Sequence, residues 1–203
     1  MFTGIVERIG TIRRFVDGST TRRFAIACGD LAAGLSLGDS VAVDGACFTV
    51  ADLREDAFLV DVIGTSLDRT LAARYAEGTP VNLERALQMT GRVDGHMVQG
   101  HVDGIGHLIK IIEDGEFWRL EFELPAEVAD LTVPRGSIAL NGVSLTVAEM
   151  PEPTVCAVGL IPFTYEHTNL GALQPGAPVN VEGDLIGKYV GKILASRAQG
   201  TTE

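Results

Sequence analysis

Ser137-Ile-Ala-Leu-Asn-Gly-Val-Ser-Leu-Thr-Val147 decides the fold, because Ser40-Val-Ala-Val-Asp-Gly-Ala-Cys-Phe-Thr-Val50 repeats it 97 positions earlier. Each copy is an apolar run, an Asp-Gly or Asn-Gly pair and a second apolar run, the strongest short-range signal of a two-residue hairpin. In the second strand of each, Cys47 answers Ser144. Thr49 and Thr146 follow two residues later, on the same face of an alternating strand. The differences between two copies of one hairpin are where chemistry is expected.

Working outward, the repeat continues at offsets of 96 to 98 residues. Met1-Phe-Thr-Gly-Ile-Val-Glu-Arg-Ile-Gly10 matches Met97-Val-Gln-Gly-His-Val-Asp-Gly-Ile-Gly106, and Gly78-Thr-Pro-Val-Asn-Leu-Glu84 matches Gly176-Ala-Pro-Val-Asn-Val-Glu182. Such a period is too long for a solenoid and reads as a duplicated domain. Short strands between turn residues predict a small closed barrel in each half. In the first half they are expected at 2–15, 22–28, 40–43, 46–53, 57–63 and 80–85. In the second they fall at 98–112, 117–124, 137–140, 143–150, 154–160 and 178–183. Helical turns are expected at Asp30–Leu35, Ser66–Tyr75, Ala126–Leu131 and Tyr165–Leu170. The fold class is all-β, two homologous six-stranded Greek-key barrels in tandem plus a C-terminal α-helix. The divisions are 1–92, 93–184 and 185–203. In the tail, Leu185, Ile186, Tyr189, Val190, Ile193 and Leu194 keep helical spacing, with Asp184 as N-cap and Gly200 past the end. Gly187 and Gly191 weaken that helix by ~1 kcal/mol each, so it must dock, either on its own barrel or on another copy.

The composition is globular, with 46% hydrophobic and 21% charged residues, and no apolar run is long enough for a membrane span. The opening Met-Phe-Thr-Gly lacks the pattern of a secretory signal, so a cytoplasmic location is expected. Cys28, Cys47 and Cys156 form no Cys-x-x-Cys pair, which indicates neither a disulfide frame nor a zinc site. A formal charge of −11 without a basic stripe argues against nucleic acid or an anionic membrane as partner.

Familiar machineries are excluded in turn. Gly142-Val-Ser-Leu-Thr146 lacks the second glycine of a nucleophile elbow. His96 and His101 would point to opposite faces of a strand, and there is no His-Glu-x-x-His. No Gly-rich dinucleotide loop follows a strand. What remains is matched small polar groups: Ser40 with Ser137, Cys47 with Ser144, Thr49 with Thr146, Ser66 with Thr164. They read either as turn and strand-end hydrogen bonding or, since they recur, as a surface for a flat heterocycle with a polyol tail. A strand cysteine is commonly a quiet core residue. In a pocket, Cys47 would be the stronger nucleophile of its pair.

Met1-Phe-Thr-Gly-Ile-Val6, Asp44-Gly-Ala-Cys-Phe-Thr-Val50, Gly100-His-Val-Asp103, Asn141-Gly-Val-Ser-Leu-Thr-Val147, Leu160-Ile-Pro162 and Val179-Asn-Val-Glu182 together resemble the riboflavin synthase family of the duplicated, trimeric kind. The resemblance implies a dismutation of two 6,7-dimethyl-8-ribityllumazine molecules to riboflavin and 5-amino-6-ribitylaminouracil, without metal or other cofactor. It implies a homotrimer, with one substrate in the N-barrel of one subunit and the other in the C-barrel of its neighbour. Carried over residue by residue, the N-barrel pocket takes Gly4, Ile5, Val6, Cys47, Phe48, Thr49, Asp61, Val62, Ile63, Gly64, Thr65, Ser66, Gly100, His101 and Val102, with Ser40 beside them. The C-barrel pocket takes Ser144, Leu145, Thr146, Gly159, Leu160, Ile161, Pro162, Phe163 and Thr164, with Arg135 reaching a ligand on the partner subunit. The implied roles are Cys47 or a water it holds as nucleophile, Ser144 and His101 in proton transfer, and Asp184 on the ribityl chain or on protons. Phe2 would place the N-terminal strand at the interface. Thr65, Asp94, Phe163 and Gly183 depart from residues usual in that family, whereas Arg135 matches. Lumazine-binding carriers share the duplicated barrel but degrade the C-barrel site, whose Ser144, Thr146 and Asp184 are in place here. A flavin-reductase-type barrel would need a following nicotinamide domain.

Overall fold

The computed structural model describes residues 1–199. The first half runs β1 (Arg8–Asp17), β2 (Thr21–Ala27), β3 (Ser40–Val43), β4 (Ala46–Leu53), β5 (Ala57–Ile63), α1 (Gly64–Arg69) and β6 (Pro80–Arg85). The second runs β7 (Gly104–Asp114), β8 (Phe117–Glu123), α2 (Ala126–Ala129), β9 (Ser137–Leu140), β10 (Val143–Glu152), β11 (Val155–Leu160), α3 (Pro162–His167), β12 (Pro178–Gly183) and the tail helix α4 (Leu185–Gln199). Each half closes as an antiparallel barrel with one shared strand order, β1-β2-β5-β4-β3-β6 and β7-β8-β11-β10-β9-β12. Bulges between Ile12 and Arg14 and between Leu108 and Lys110 fall at matched points, giving the local bend that closure needs. Alternation directs Ile12, Phe24, Val41, Phe58 and Leu83 into the first core and Leu108, Leu120, Phe122, Ile138 and Val181 into the second. All ten are almost fully buried.

The expected strands at 2–15 and 98–112 are too long at their starts. Residues 1–7 and 97–103 leave the barrels as two arms that pair with each other. Phe2 donates its N–H to the Val98 carbonyl at 2.7 Å and accepts from the Val98 N–H at 3.1 Å. Alternation of apolar residues cannot distinguish an arm from a strand, because both are extended. The helical segments also divide. Ser66–Tyr75 is α1 followed by a 3-10 turn at Leu71–Arg74, separated by the extended Thr70, whose hydroxyl accepts from Ala72 N–H. Tyr165–Leu170 is likewise the end of α3 and a 3-10 turn at Asn169–Ala172.

The two barrels meet on a pseudo-twofold axis where both Asp/Asn-Gly turns touch. Asp44, Gly45, Asn141 and Gly142 have φ of 45°, 77°, 46° and 76°, the left-handed pair of a type I′ turn. Around them lies a buried polar network. Asn82 and Asn180 donate side-chain N–H to the carbonyls of Asn141 and Asp44 at 2.9 and 2.8 Å, across the axis. Their Oδ1 atoms accept the N–H of Asn169 and Leu71 from the opposite half, both at 2.8 Å. The symmetry breaks at one carboxylate. Asp44 accepts from Tyr75 hydroxyl, Asn82 N–H and Asn169 Nδ2, whereas the equivalent position holds Asn141.

Burial pushes the Asp44 carboxyl up from 3.8 to about 7, against the opposing hydrogen bonds of Asn82, Tyr75 and Asn169. Between those values the folded chain holds a proton that the unfolded chain has lost, so this group's contribution falls as pH rises through that window. Asp44→Asn copies Asn141 and is expected to remove the decline. Urea unfolding at pH 5 and pH 8 measures it, the unsubstituted chain losing on the order of 1–3 kcal/mol more over that interval than the variant.

Helix α4 is capped by Asp184, whose Oδ1 accepts from Ile186 N–H at 2.9 Å; the expected stop at Gly200 lies outside the described residues. Its glycines face its own barrel, where a Cβ on Gly187 would lie 3.1 Å from the Leu131 carbonyl and one on Gly191 2.6 Å from a Leu131 methyl. Lys188 pairs with Asp103 at 2.7 Å. The opposite face leaves Ile186, Tyr189, Val190, Ile193 and Leu194 about half or more exposed. Docking on its own barrel therefore uses the glycine side of α4 and leaves the apolar side open.

Candidate active site

On β3 and β4 the inward positions are the valines and Phe48, so Ser40, Cys47 and Thr49 face outward, joined on β5 by Asp61 and Ile63. The counterpart face of the second barrel carries Ser137, Ser144, Thr146, Gly159 and Ile161. Phe48, Val62, Leu145 and Leu160 are buried core, behind the face instead of on it. The first turn of α1 (Gly64, Thr65, Ser66) and of α3 (Pro162, Phe163, Thr164) closes the end of each face. Backbone N–H groups there have no intrahelical acceptor.

The arms complete these faces, and they do so crosswise. Gly4 accepts the N–H of Ser144 at 2.8 Å, and Gly100 accepts the N–H of Cys47 at 2.9 Å. Val6 packs on the core of the second barrel, whereas Val102 belongs to the core of the first. The expectation that Gly4-Ile5-Val6 lies with Cys47 is therefore corrected. That segment lies along the C-barrel, and Gly100-His101-Val102 alone lies along the N-barrel. Both glycines are required, with φ of +74° and +82°. A Cβ would come within 2.6 Å of Ser144 Cβ and 2.5 Å of Cys47 Cβ respectively. Phe2, on the first arm, is 1% exposed in a small cluster with Val98 of the second arm, Ala42 and Ala139.

The imidazole beside Ser144 is His96, not His101. His96 Nδ1 lies 2.7 Å from Ser144 Oγ, and its Nε2 is buried without a partner. Burial holds the His96 ring below its ordinary 6.5, opposed by the charge of Asp184. Gly95 allows the approach, since a Cβ there would meet the Thr3 carbonyl at 2.1 Å and Ser144 Oγ at 2.8 Å. His101 is exposed on the arm that crosses to Cys47, the N-barrel side on which it is expected. The sequence signal for His96 is slight. It is one of the two Gly-His pairs, at 95–96 and 100–101, each a weak signal by itself.

Other expected residues differ in their surroundings. Asp61 is held by Arg23 at 2.6 and 2.5 Å, and that hydrogen bond keeps its carboxyl below the usual range. It is a structural anion more than a proton carrier. Arg135 has φ +68° where the first barrel uses Gly38, and its N–H bonds the Val147 carbonyl as Gly38 bonds Val50. A left-handed arginine costs ~1 kcal/mol, and its side chain is exposed. Phe163 is exposed and stacks on His167 at 4.1 Å. Thr65 is exposed on α1, Asp94 pairs with Arg92, and Gly183 donates to Asp103 at 2.8 Å. A recess of about 510 Å³ opens beside Ser40, between Thr3 and Ile5 of the arm and the linker at Leu87–Gln88. Among the described residues no three His, Cys, Asp or Glu side chains are grouped as a metal site requires. No helix there is long and apolar enough to cross a membrane.

A family model, the lumazine binding domain, matches twice, at residues 3–86 and 99–184. The riboflavin synthase of Bacillus subtilis is 36% identical over 203 residues, which is 100% of this chain and 94% of the relative. That of Mycobacterium tuberculosis is 39% identical over 202 residues, covering 97% of this chain and 99% of the relative. A crystal structure of LumP complexed with riboflavin superposes with a TM-score of 0.84 over 90% of this chain and 99% of that one, at 24% identity, a likeness of fold. With two lumazine binding domains and relatives of this similarity over nearly its whole length, the chain belongs to the riboflavin synthase family of transferase-type enzymes.

Proposed function

We propose that the chain converts two molecules of 6,7-dimethyl-8-ribityllumazine to riboflavin and 5-amino-6-ribitylaminouracil. The observation that carries this is the pair of crossed, pseudo-symmetric faces with unlike chemistry, Cys47 beside the Gly100-His101 arm and Ser144 beside His96. A dismutation needs one molecule bound twice and treated differently. The atoms of two lumazines equal those of the two products, so the reaction needs no oxidant, reductant or cofactor. At the Ser144 face, a neutral His96 drawing on the serine hydroxyl takes a proton from the C7 methyl of the lumazine that will accept the four-carbon unit, whose anion is delocalised into the ring. At the other face, Cys47 or a water it holds adds at C7 of the lumazine that will donate that unit. The carbanion bonds to a ring carbon of the donor, the neighbouring methyl carbon bonds to the other as the added nucleophile is expelled, and the donor's two C–N bonds break, its nitrogens leaving as the diaminouracil with the protons that the two methyls give up. Thr49, Thr146 and the N–H groups opening α1 and α3 suit the pyrimidine edge and ribityl hydroxyls. Holding both rings together supplies much of the rate.

Both faces are open on one side, flanked by the exposed Ile5, Ile63, Ile161 and Phe163. That favours a site closed by a second copy, N-barrel against a neighbour's C-barrel, in a homotrimer seamed by the apolar side of α4. Arg135 would then reach the neighbour's ligand. Division into two lumazine-binding units at 92/93, with the tail from 185, and a cytoplasmic location complete the proposal.

Incubating the protein with the lumazine alone tests it by absorbance. Two lumazines are expected to disappear per riboflavin formed, and sedimentation should give a trimer mass. Tight binding without flavin would leave a carrier, with the departures at Phe163 and Gly183 the first suspects.

A further inference from the structure

Two buried carboxylates outside the proposed chemistry each hold one arm. Glu84, on β6 and 7% exposed, accepts Thr3 N–H at 2.6 Å, Thr3 hydroxyl at 2.9 Å and Gly4 N–H at 3.0 Å. Glu182, its counterpart on β12 and 3% exposed, accepts Gln99 N–H at 2.7 Å and Gly100 N–H at 2.9 Å. Each clamped glycine then presents its carbonyl to the other barrel, Gly4 to Ser144 and Gly100 to Cys47. A glycine at each crossing leaves no side chain to cushion an error. A displacement of the arm is passed directly to the backbone of the residue it touches. Burying a carboxylate is costly unless its lone pairs are filled. Here the donors are arm groups, so each anion is satisfied only while its arm is in place.

We propose that Glu84 and Glu182 are positioning residues acting crosswise: Glu84 of the N-barrel fixes Ser144 of the C-barrel face through Gly4, and Glu182 of the C-barrel fixes Cys47 of the N-barrel face through Gly100. Each face is then tuned by a residue on the barrel to which it does not belong. The catalytic consequence rests on the function proposed above; the geometric one does not.

Glu84→Gln and Glu182→Gln test both in the full chain. A glutamine amide turns one acceptor into a donor that confronts an arm N–H, so a clamp that accepted two amides can accept one. In hydrogen exchange followed by NMR, Glu84→Gln is expected to speed the Ser144 amide about tenfold and leave Cys47 within about twofold. Glu182→Gln is expected to do the reverse. Equal acceleration of both amides in either variant, or of neither, would overturn the proposal whether or not the protein makes riboflavin. Turnover gives the second readout. Each Gln variant should lose roughly tenfold in kcat. Combined with Ser144→Ala, Glu84→Gln should deviate from multiplicative behaviour by at least about threefold, and with Cys47→Ala it should multiply within about twofold. Glu182→Gln should couple in the opposite pattern. Coupling of one clamp equally to both faces would mark it as a general structural support. Should Glu84→Gln not fold at the assay temperature, Thr3→Val removes one donor to the same carboxylate and leaves the backbone whole. Its effect must fall on Ser144 and spare Cys47.

Discussion

Gly142→Ala is expected to cost at least ~3 kcal/mol, whereas Gly38→Ala costs ~1 kcal/mol, although both positions have positive φ. At Gly38 (φ +89°) an added Cβ meets nothing within 4 Å, so the penalty is conformational alone. At Gly142 (φ +76°) the same atom would lie 2.6 Å from the Gly45 nitrogen and 2.9 Å from its Cα, backbone of the opposite barrel. Neither turn can yield without disturbing Asn82, Asn180 and the carbonyls they hold across the axis. The barrels would have to part at their most densely bonded contact. Gly45→Ala should behave alike, its Cβ falling 2.7 Å from the Gly142 nitrogen. Denaturant midpoints for the three variants measure this. A cost at Gly142 no greater than at Gly38 would mean that the turns do not bear on each other in solution.

His96→Ala is expected to lower kcat by roughly 10²–10³-fold with a much smaller change in lumazine affinity, because proton transfer is lost and the binding face is not. Ser144→Ala should fall in the same range, and the double variant should be little worse than either single one, since the two side chains act as a unit. Burial depresses the ionisation of His96, so the acid limb of the pH profile should lie below 6.5. That limb should vanish in His96→Ala. An unchanged kcat would leave the buried Nε2 without a function. His101→Ala, on the arm beside Cys47, should not reproduce the acid-limb effect.

The duplication and the barrels were legible because hairpin signals and apolar alternation are local, and the offset between Ser40 and Ser137 carried one half's reading to the other. Strands 40–43, 57–63 and 178–183 coincide with β3, β5 and β12. The outward placement of Cys47, Thr49, Ser144 and Thr146 also follows from alternation alone. What was not legible depends on contacts between halves. Nothing in Met1-Phe-Thr-Gly-Ile-Val6 says that it passes to the far barrel, because the decisive bond, Gly4 to Ser144, joins residues 140 positions apart. The role of His96 is hidden for a related reason: its ring meets Ser144, 48 positions away, only once the chain is folded. Glu84 and Glu182 were visible only as a repeated Val-Asn-x-Glu, since a buried carboxylate and a solvated one are the same letter.

The crossed arms also have a consequence for how the chain comes off the ribosome. With β6 ending at Arg85, the first barrel can close once that residue has emerged, and Glu84 can already grip Thr3 and Gly4. Yet Phe2 lacks Val98 and Ala139, and Val6 lacks the second barrel's core, until β12 has been made. At ~5–20 residues per second, the stretch from 86 to 183 takes roughly 5–20 s. For that interval the nascent polypeptide carries a closed barrel, its core still open to Val102 at the start, with an apolar strip waiting for a surface that has not yet been translated.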